Sequence, residues 1–149
     1  MGVFNSFAIS ASGLTAERLR MDAISNNIAN VNTTRTPDGG PYKRQRVIFE
    51  PRGDQMQAMF PYIFDKNKKL AQFQGVKVTG ISEDPTPPRL VFDPGHPDAN
   101  KDGYVAMPNV NIVKEMVDMI SATRAYEANV TSINSAKTMA AKALEIGKI

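Results

Sequence analysis

Two stretches of the chain place apolar residues at the alternating steps of three and four that mark one face of an α-helix, and the stretch between them does not. Near the start, Val3, Phe7, Leu14, Met21, Ile24, Ile28 and Val31 fall on or near one stripe, interrupted by Ser10 and Glu17, which predicts a helix over about residues 3–31. Gly13 in mid-pattern weakens that helix, because glycine costs about 1 kcal/mol relative to alanine there. The C-terminal pattern is stronger. Steps of four and three from Ile112 reach Met116, Met119, Thr123, Tyr126, Val130, Ile133, Lys137, Ala140 and Leu144, and only Thr123 and Lys137 break the seam. Neither Pro nor Gly intervenes before Gly147, a C-terminal stop, so the expected helix covers residues 110–147. At 1.5 Å per residue it would be about 50–55 Å long, more than the diameter of a small domain, so it should protrude or pack against other chains.

Between the two helices the character changes. The prolines and most of the glycines lie here; "TPDGGP" and "DPTPP" are turns, and "YKRQRVIFE", "GVKVTGI", "RLVFD" and "GYVAM" are short strand-like runs. The expected fold is therefore mainly α with a β-rich insert: an N-terminal helical part (1–34), a Pro/Gly-rich β-like insert (35–109) and a C-terminal helical part (110–149). Each terminal helix has an apolar seam in need of cover, and packing the two together is the simplest way to supply it.

The end of the first helix is unusual. "SNNIANVNTTRTPDGG" crowds Asn26, Asn27, Asn30 and Asn32 into seven positions. The short amide of asparagine competes with the helix backbone for hydrogen bonds, so the residue is a poor choice unless it has other work. Asn26 and Asn30 share a helix face and Asn27 sits beside them. A buried amide there would fix the register of a bundle whose apolar seams tolerate slippage. Asn32 falls where the helix should end, and would cap it or adopt a left-handed conformation. The alternative is a solvated, fraying helix end.

Composition changes this picture little. The 149 residues suit one ordinary domain. Eighteen Lys and Arg against fifteen Asp and Glu leave +3, spread along the chain, too mild for a nucleic-acid partner; the cations of "YKRQR" fit a strand face. The absence of cysteine excludes disulfides, Cys-ligated zinc and thiol catalysis. His96, the only histidine, excludes a histidine metal cluster, and its "DPGHPD" setting is a turn. "DANKDG" (98–103) opens like a calcium loop, but the twelfth position is Asn109 rather than a bidentate Glu. An Asx-rich turn before a strand is the better reading. No phosphate-binding loop or nucleophile elbow occurs, so neither catalytic residues, cofactor, metal nor small-molecule substrate is expected. "MGVFNS" fits a myristoylation pattern, yet Phe4 and Phe7 belong to a helix face. The sequons at Asn32 and Asn129 are of a kind common by chance. The N-terminus has neither the basic nor the apolar region of a Sec signal, and no apolar run approaches the about 18 residues of a membrane span.

"SGLTAERLRMDAISNNIANVNT" (12–33) resembles the N-terminal signature of bacterial flagellar axial proteins, the rod, hook and hook-associated subunits. There Ser-Gly-Leu and an Ala precede an Asn-Asn-Ile-Ala-Asn-x-Asn-Thr block; Met21-Asp22 stands where Leu-Asp is usual, a volume-conserving change. "RLVFDPGHPDANKDGYVAMPNVNIVKEMVDMISATRAYEANV" (89–130) is similar to the proximal-rod branch of that family, and "SATRAYEANVTSINSAKTM" resembles its second heptad helix. The likeness spans nearly the whole chain; only about residues 55–74 are undistinctive. It implies a structural subunit of the periplasmic rod in the flagellar basal body, exported unfolded by the flagellar type III apparatus without a Sec signal. It also implies assembly through paired terminal helices to transmit motor torque. The implied partners are other rod subunits, including copies of itself, rod-base or MS-ring adaptor proteins, and the export apparatus. The competing reading is a soluble coiled-coil adaptor or secreted interaction protein. The expected assembly interface comprises Leu14, Met21, Ile24, Asn26, Asn27, Ile28, Asn30, Val31 and Asn32 of the first helix. On the second it comprises Ile112, Met116, Met119, Ile120, Tyr126, Val130, Ile133, Ala140 and Leu144.

Overall fold

The computed structural model describes residues 3–52 and 75–147. Two long helices, α1 (Val3–Ala29) and α2 (Ile112–Ile146), enclose four strands in sequence: β1 (Gln45–Pro51), β2 (Val76–Glu83), β3 (Arg89–Phe92) and β4 (Tyr104–Met107). Strands β3 and β4 lie within the strand-like runs of the sequence, and β1 and β2 begin in theirs and extend one and two residues beyond. They form two separate antiparallel pairs, β1 with β2 and β3 with β4, so the insert contains two small sheets rather than one.

The helices pack antiparallel. Ser10, near the start of α1, faces Ser132 late in α2, its Oγ 3.5 Å away, whereas Asn27 at the end of α1 donates to Glu115 in the first turn of α2 at 3.0 Å. Between these points the Thr123 hydroxyl, which donates to the Met119 carbonyl at 2.9 Å, lies 3.7 Å from the Met21 sulfur. Small side chains are buried on both helices, Ala16 and Ala23 on α1 and Ala122 and Ala136 on α2. A methyl group at Gly13 would meet the Asn129 amide at 3.0 Å, so glycine here serves close approach.

This seam differs from the one the heptad count selects. Glu115, Ala122, Asn129 and Ala136, seven apart, form its axis, with Met119, Tyr126, Val130, Ile133 and Ala140 half-buried around it. Ile112, Met116, Ile120 and Leu144 are 45%, 55%, 60% and 72% exposed. On α1, Ile24 is buried and Leu14, Met21 and Ile28 are half-buried, as is Val31 just beyond its end. The reason is steric. Two helices approach most closely through small residues, and α2 carries both a small-residue stripe and a more apolar one; the former meets α1.

The ends of the elements follow their sequence. The Asn111 side chain caps α2 by accepting from the Lys114 N–H at 3.2 Å, and Glu115 adds a carboxylate to the positive end of the helix dipole. Gly147 ends α2, its N–H bonded to the Ala143 carbonyl, but with φ −81° and not in a left-handed conformation. Helix α1 stops at Ala29, two residues before the sequence-based end, in a turn in which the Thr33 N–H reaches the Asn30 carbonyl at 3.0 Å. Among the described residues no non-glycine has positive φ, so Asn32 is not left-handed, and it is exposed.

The β1–β2 pair lies along α1. It runs from Gln45 opposite Glu83 to Pro51 opposite Val76, with a bulge between Ile48 and Phe49. Val47 and Phe49 turn inward and Arg46, Ile48 and Glu50 outward. At its far end the Val76 N–H donates to Ser12 Oγ at 3.1 Å, and Ser12 Oγ donates to the Ile9 carbonyl at 2.6 Å. Gly75, at φ +88°, lies against that turn of α1; a side chain there would both strain the backbone and overlap Ser12. The β3–β4 pair leads into α2, with Val105, Pro108 and Val110 buried at the join.

Candidate assembly interface

The asparagine block is not a fraying end. The side chain of Asn27 is 1% exposed, and its amide is saturated. Its Oδ1 accepts from the Gln45 N–H at 2.8 Å and the Tyr42 hydroxyl at 2.9 Å. Its Nδ2 donates to the Gln45 carbonyl at 2.9 Å and to Glu115 Oε2 at 3.0 Å. One primary amide offers two donor hydrogens and two acceptor lone pairs, and all four are used. The bonds to Gln45 imitate a sheet neighbour, so α1 carries the start of β1 on a side chain.

Asn26 and Asn30 support this arrangement from the surface. Asn26 Nδ2 reaches the Tyr42 hydroxyl at 3.2 Å and Gln45 Oε1 at 3.3 Å. Asn30 Nδ2 donates back to the carbonyl and Oδ1 of Asn26, both at 2.9 Å, and Asn30 Oδ1 accepts from the Thr33 hydroxyl at 3.1 Å. Asn30 therefore closes the helix, the role the sequence assigned to Asn32. The tertiary bonds of this block run to the chain leading into β1 and, at Asn27, to α2.

Glu115 is fully buried, and Arg44 balances it, donating from Nε to Oε1 at 2.6 Å. The same guanidinium extends to Asp118 Oδ2 at 3.3 Å and lies 3.6 Å from Asp84 Oδ2. A buried carboxylate survives only when its charge and lone pairs are met; here Arg44 and Asn27 meet both oxygens. Asn109 fixes the backbone around the guanidinium: its Oδ1 accepts from the Arg44 N–H at 2.9 Å and its Nδ2 donates to the Thr86 carbonyl at 3.1 Å. Burial, then the nearby charges of Glu115 and Glu83, raises the Tyr42 phenol above its ordinary pKa. Asp84 is lowered, first by bonds from the Thr86 hydroxyl and N–H, with Arg46 and Arg44 assisting. The result is a polar junction joining α1, the chain entering β1, the Asp84–Thr86 turn and the start of α2.

Sequence reasoning missed Tyr42, Arg44, Asp84, Asn109, Glu115 and Asp118. One signal was available: Glu115 stands seven residues before Ala122, in phase with the small-residue stripe, and an interior carboxylate demands a cation. Arg44 of "YKRQR" is that cation, rather than one of a strand face, and it precedes β1. The other singled-out loop residues are structural: Asn100 Oδ1 accepts from the Asp102 and Tyr104 N–H groups, both at 2.9 Å, and His96 Nδ1 accepts from the Asp98 N–H at 3.1 Å.

A second feature lies across α2 from the seam. Val113, Met116, Val117 and Ile120 are 71%, 55%, 61% and 60% exposed, at spacings i, i+3, i+4 and i+7. Val113 and Ile120 each precede a seam residue by two, about 200° around a helix of 3.6 residues per turn. The stripe therefore points away from α1.

Paired terminal helices, a polar junction that orients the insert upon them and a contiguous apolar stripe left open together define a structural subunit made for protein–protein assembly. Two family models match the chain: flagella basal body rod protein over residues 7–35, and flagellar basal body rod FlgEFG protein C-terminal over residues 101–146. Along its length it is similar to the flagellar basal-body rod protein FlgC of Borreliella burgdorferi, 56% identical over 98% of each chain. The FlgC of Bacillus subtilis is 46% identical and that of Salmonella typhimurium 37%, each matching 99% of this chain and 100% of its own. The chain belongs to the FlgC family of flagellar basal-body rod proteins. It is a structural subunit of the basal-body rod and not an enzyme.

Proposed function

We propose that this subunit belongs to the proximal part of the rod and enters it through the open stripe of α2, while the α1–α2 seam and the polar junction hold the subunit together as it transmits torque. The observation that carries this reading is the exposure of Val113, Met116, Val117 and Ile120 on the side of α2 opposite α1. Scattered exposed hydrophobes are ordinary, but a contiguous apolar face on a helix marks a partner surface. The partner helices are those of neighbouring rod subunits, copies of this chain included, with adaptor proteins at the rod base and the type III export apparatus meeting it earlier. Ile24, buried in the seam, and the half-buried Leu14, Met21 and Ile133 act within the subunit; Ile112, Met116, Ile120 and Leu144 act between subunits.

The test is Val117→Asp combined with Ile120→Asp. Both positions are exposed, so the free subunit should keep its helicity and its stability within about 0.5 kcal/mol. Buried against a neighbour, the same charges cost several kcal/mol, so rods should be absent and cells non-motile while the subunit is still exported. Normal swimming would remove the stripe from the interface. Retention of the variant inside the cell would assign α2 to export instead.

A further inference from the structure

Beside the polar junction, α1, β1 and the first turns of α2 enclose an open pocket of about 360 Å³ with Ile24 and Phe49 in its apolar lining. Four cations line it, Arg20, Arg44, Arg46 and Lys114, against two carboxylates, Glu115 and Asp118. Arg20 and Arg44 face those carboxylates. Arg46 and Lys114 are exposed and make no ion pair among the described residues, so the pocket keeps a positive rim, with Asp84 the carboxylate that feels the Arg46 charge. The loop between β3 and β4 has the complementary character. Asp93, Asp98 and Asp102 are exposed on it against one cation, Lys101, and at its root Leu90, Phe92 and Tyr104 are 63%, 64% and 42% exposed, the two rings packed edge to face at 5.3 Å. Within the chain Thr34 holds the loop, its hydroxyl donating to Asp98 Oδ2 at 2.8 Å.

Resting on the rod-subunit reading, we infer that the β3–β4 loop of one copy docks into this pocket of a second copy, with Asp102 against Arg46 and Lys114 and the Phe92–Tyr104 pair against the apolar lining. An apolar centre with a charged margin on both surfaces is the anatomy of a specific interface. Because the two surfaces differ, the contact is heterologous and propagates from copy to copy, as an open helical assembly requires.

The chain has no cysteine, so single cysteines are unique handles. Asp102→Cys and Lys114→Cys subunits, co-produced in cells lacking the native subunit, would be treated with a bismaleimide in isolated basal bodies. The expected result is a two-chain product joined between positions 102 and 114, absent when either variant is produced alone. Swimming cells that yield no such product, or one joining position 114 to a different rod protein, would overturn the inference while leaving the rod-subunit reading intact. Should a cysteine variant fail to build rods, charge reversal decides: Arg46→Glu with Lys114→Glu should abolish swimming and added Asp102→Lys restore it. Failure of that restoration would equally overturn the contact.

Discussion

Asn27 and Arg44 do the same kind of work by different means, each satisfying groups that no backbone ladder reaches. Replacing Asn27 with Leu improves helix propensity but strands the Gln45 N–H and carbonyl, the Tyr42 hydroxyl and one oxygen of Glu115. Each buried group left unpaired costs about 1–3 kcal/mol, so Asn27→Leu should lose at least about 2 kcal/mol in urea unfolding, whereas Asn30→Leu, whose bonds are local, should lose under about 1. Arg44→Met leaves Glu115 buried and unpaired, a loss of about 3–5 kcal/mol, while Arg44→Met with Glu115→Met should recover most of it. Equal losses from the single and double variants would show that the ion pair does not hold the junction. The Tyr42 phenol supplies a pH signature. Its folded pKa is raised above the unfolded 10.0, so the folded state keeps its proton longer. The stabilisation is complete below the unfolded value and is lost as pH rises through the folded one; Tyr42→Phe should flatten the decline in stability above pH 10.

At the scale of elements, α2 has two faces, one packed on α1 and one open, and size separates them. The small-residue face needs close approach. Ala122→Leu, at a position with no exposure, should force the helices apart and cost about 1–3 kcal/mol, read as a lower urea midpoint with loss of near-ultraviolet signal. Unchanged stability would mean that the seam is looser than its geometry. The two helices and four strands were legible in the sequence because period and turn chemistry are local properties. Of the face of α2 that meets α1, the heptad count marked the flank, Met119, Tyr126, Val130 and Ile133, but not the axis. Apolarity ranks Met116 and Ile120 above Ala122, and only the partner's shape reverses that order. The junction was half legible: the crowded asparagines announced a polar site, but Arg44 and Glu115 lie 71 positions apart and nothing local joins them.

For the whole molecule, the antiparallel helices form a frame, the β1–β2 pair lies along α1, and the polar junction fixes the angle between insert and frame. A purely apolar joint would let the insert slide; directional bonds from Asn27, Arg44 and Asn109 give it one orientation on the helices. On entry of the subunit into the rod, the open stripe of α2 should become covered. Met116, 55% exposed within that stripe, reports on it directly. Its rate of oxidation by peroxide, followed by mass spectrometry, would be compared between the free subunit and isolated basal bodies. Oxidation should be rapid in the free chain and slowed in the rod to the level of a buried methionine; equal rates in the two states would remove the stripe from the interface.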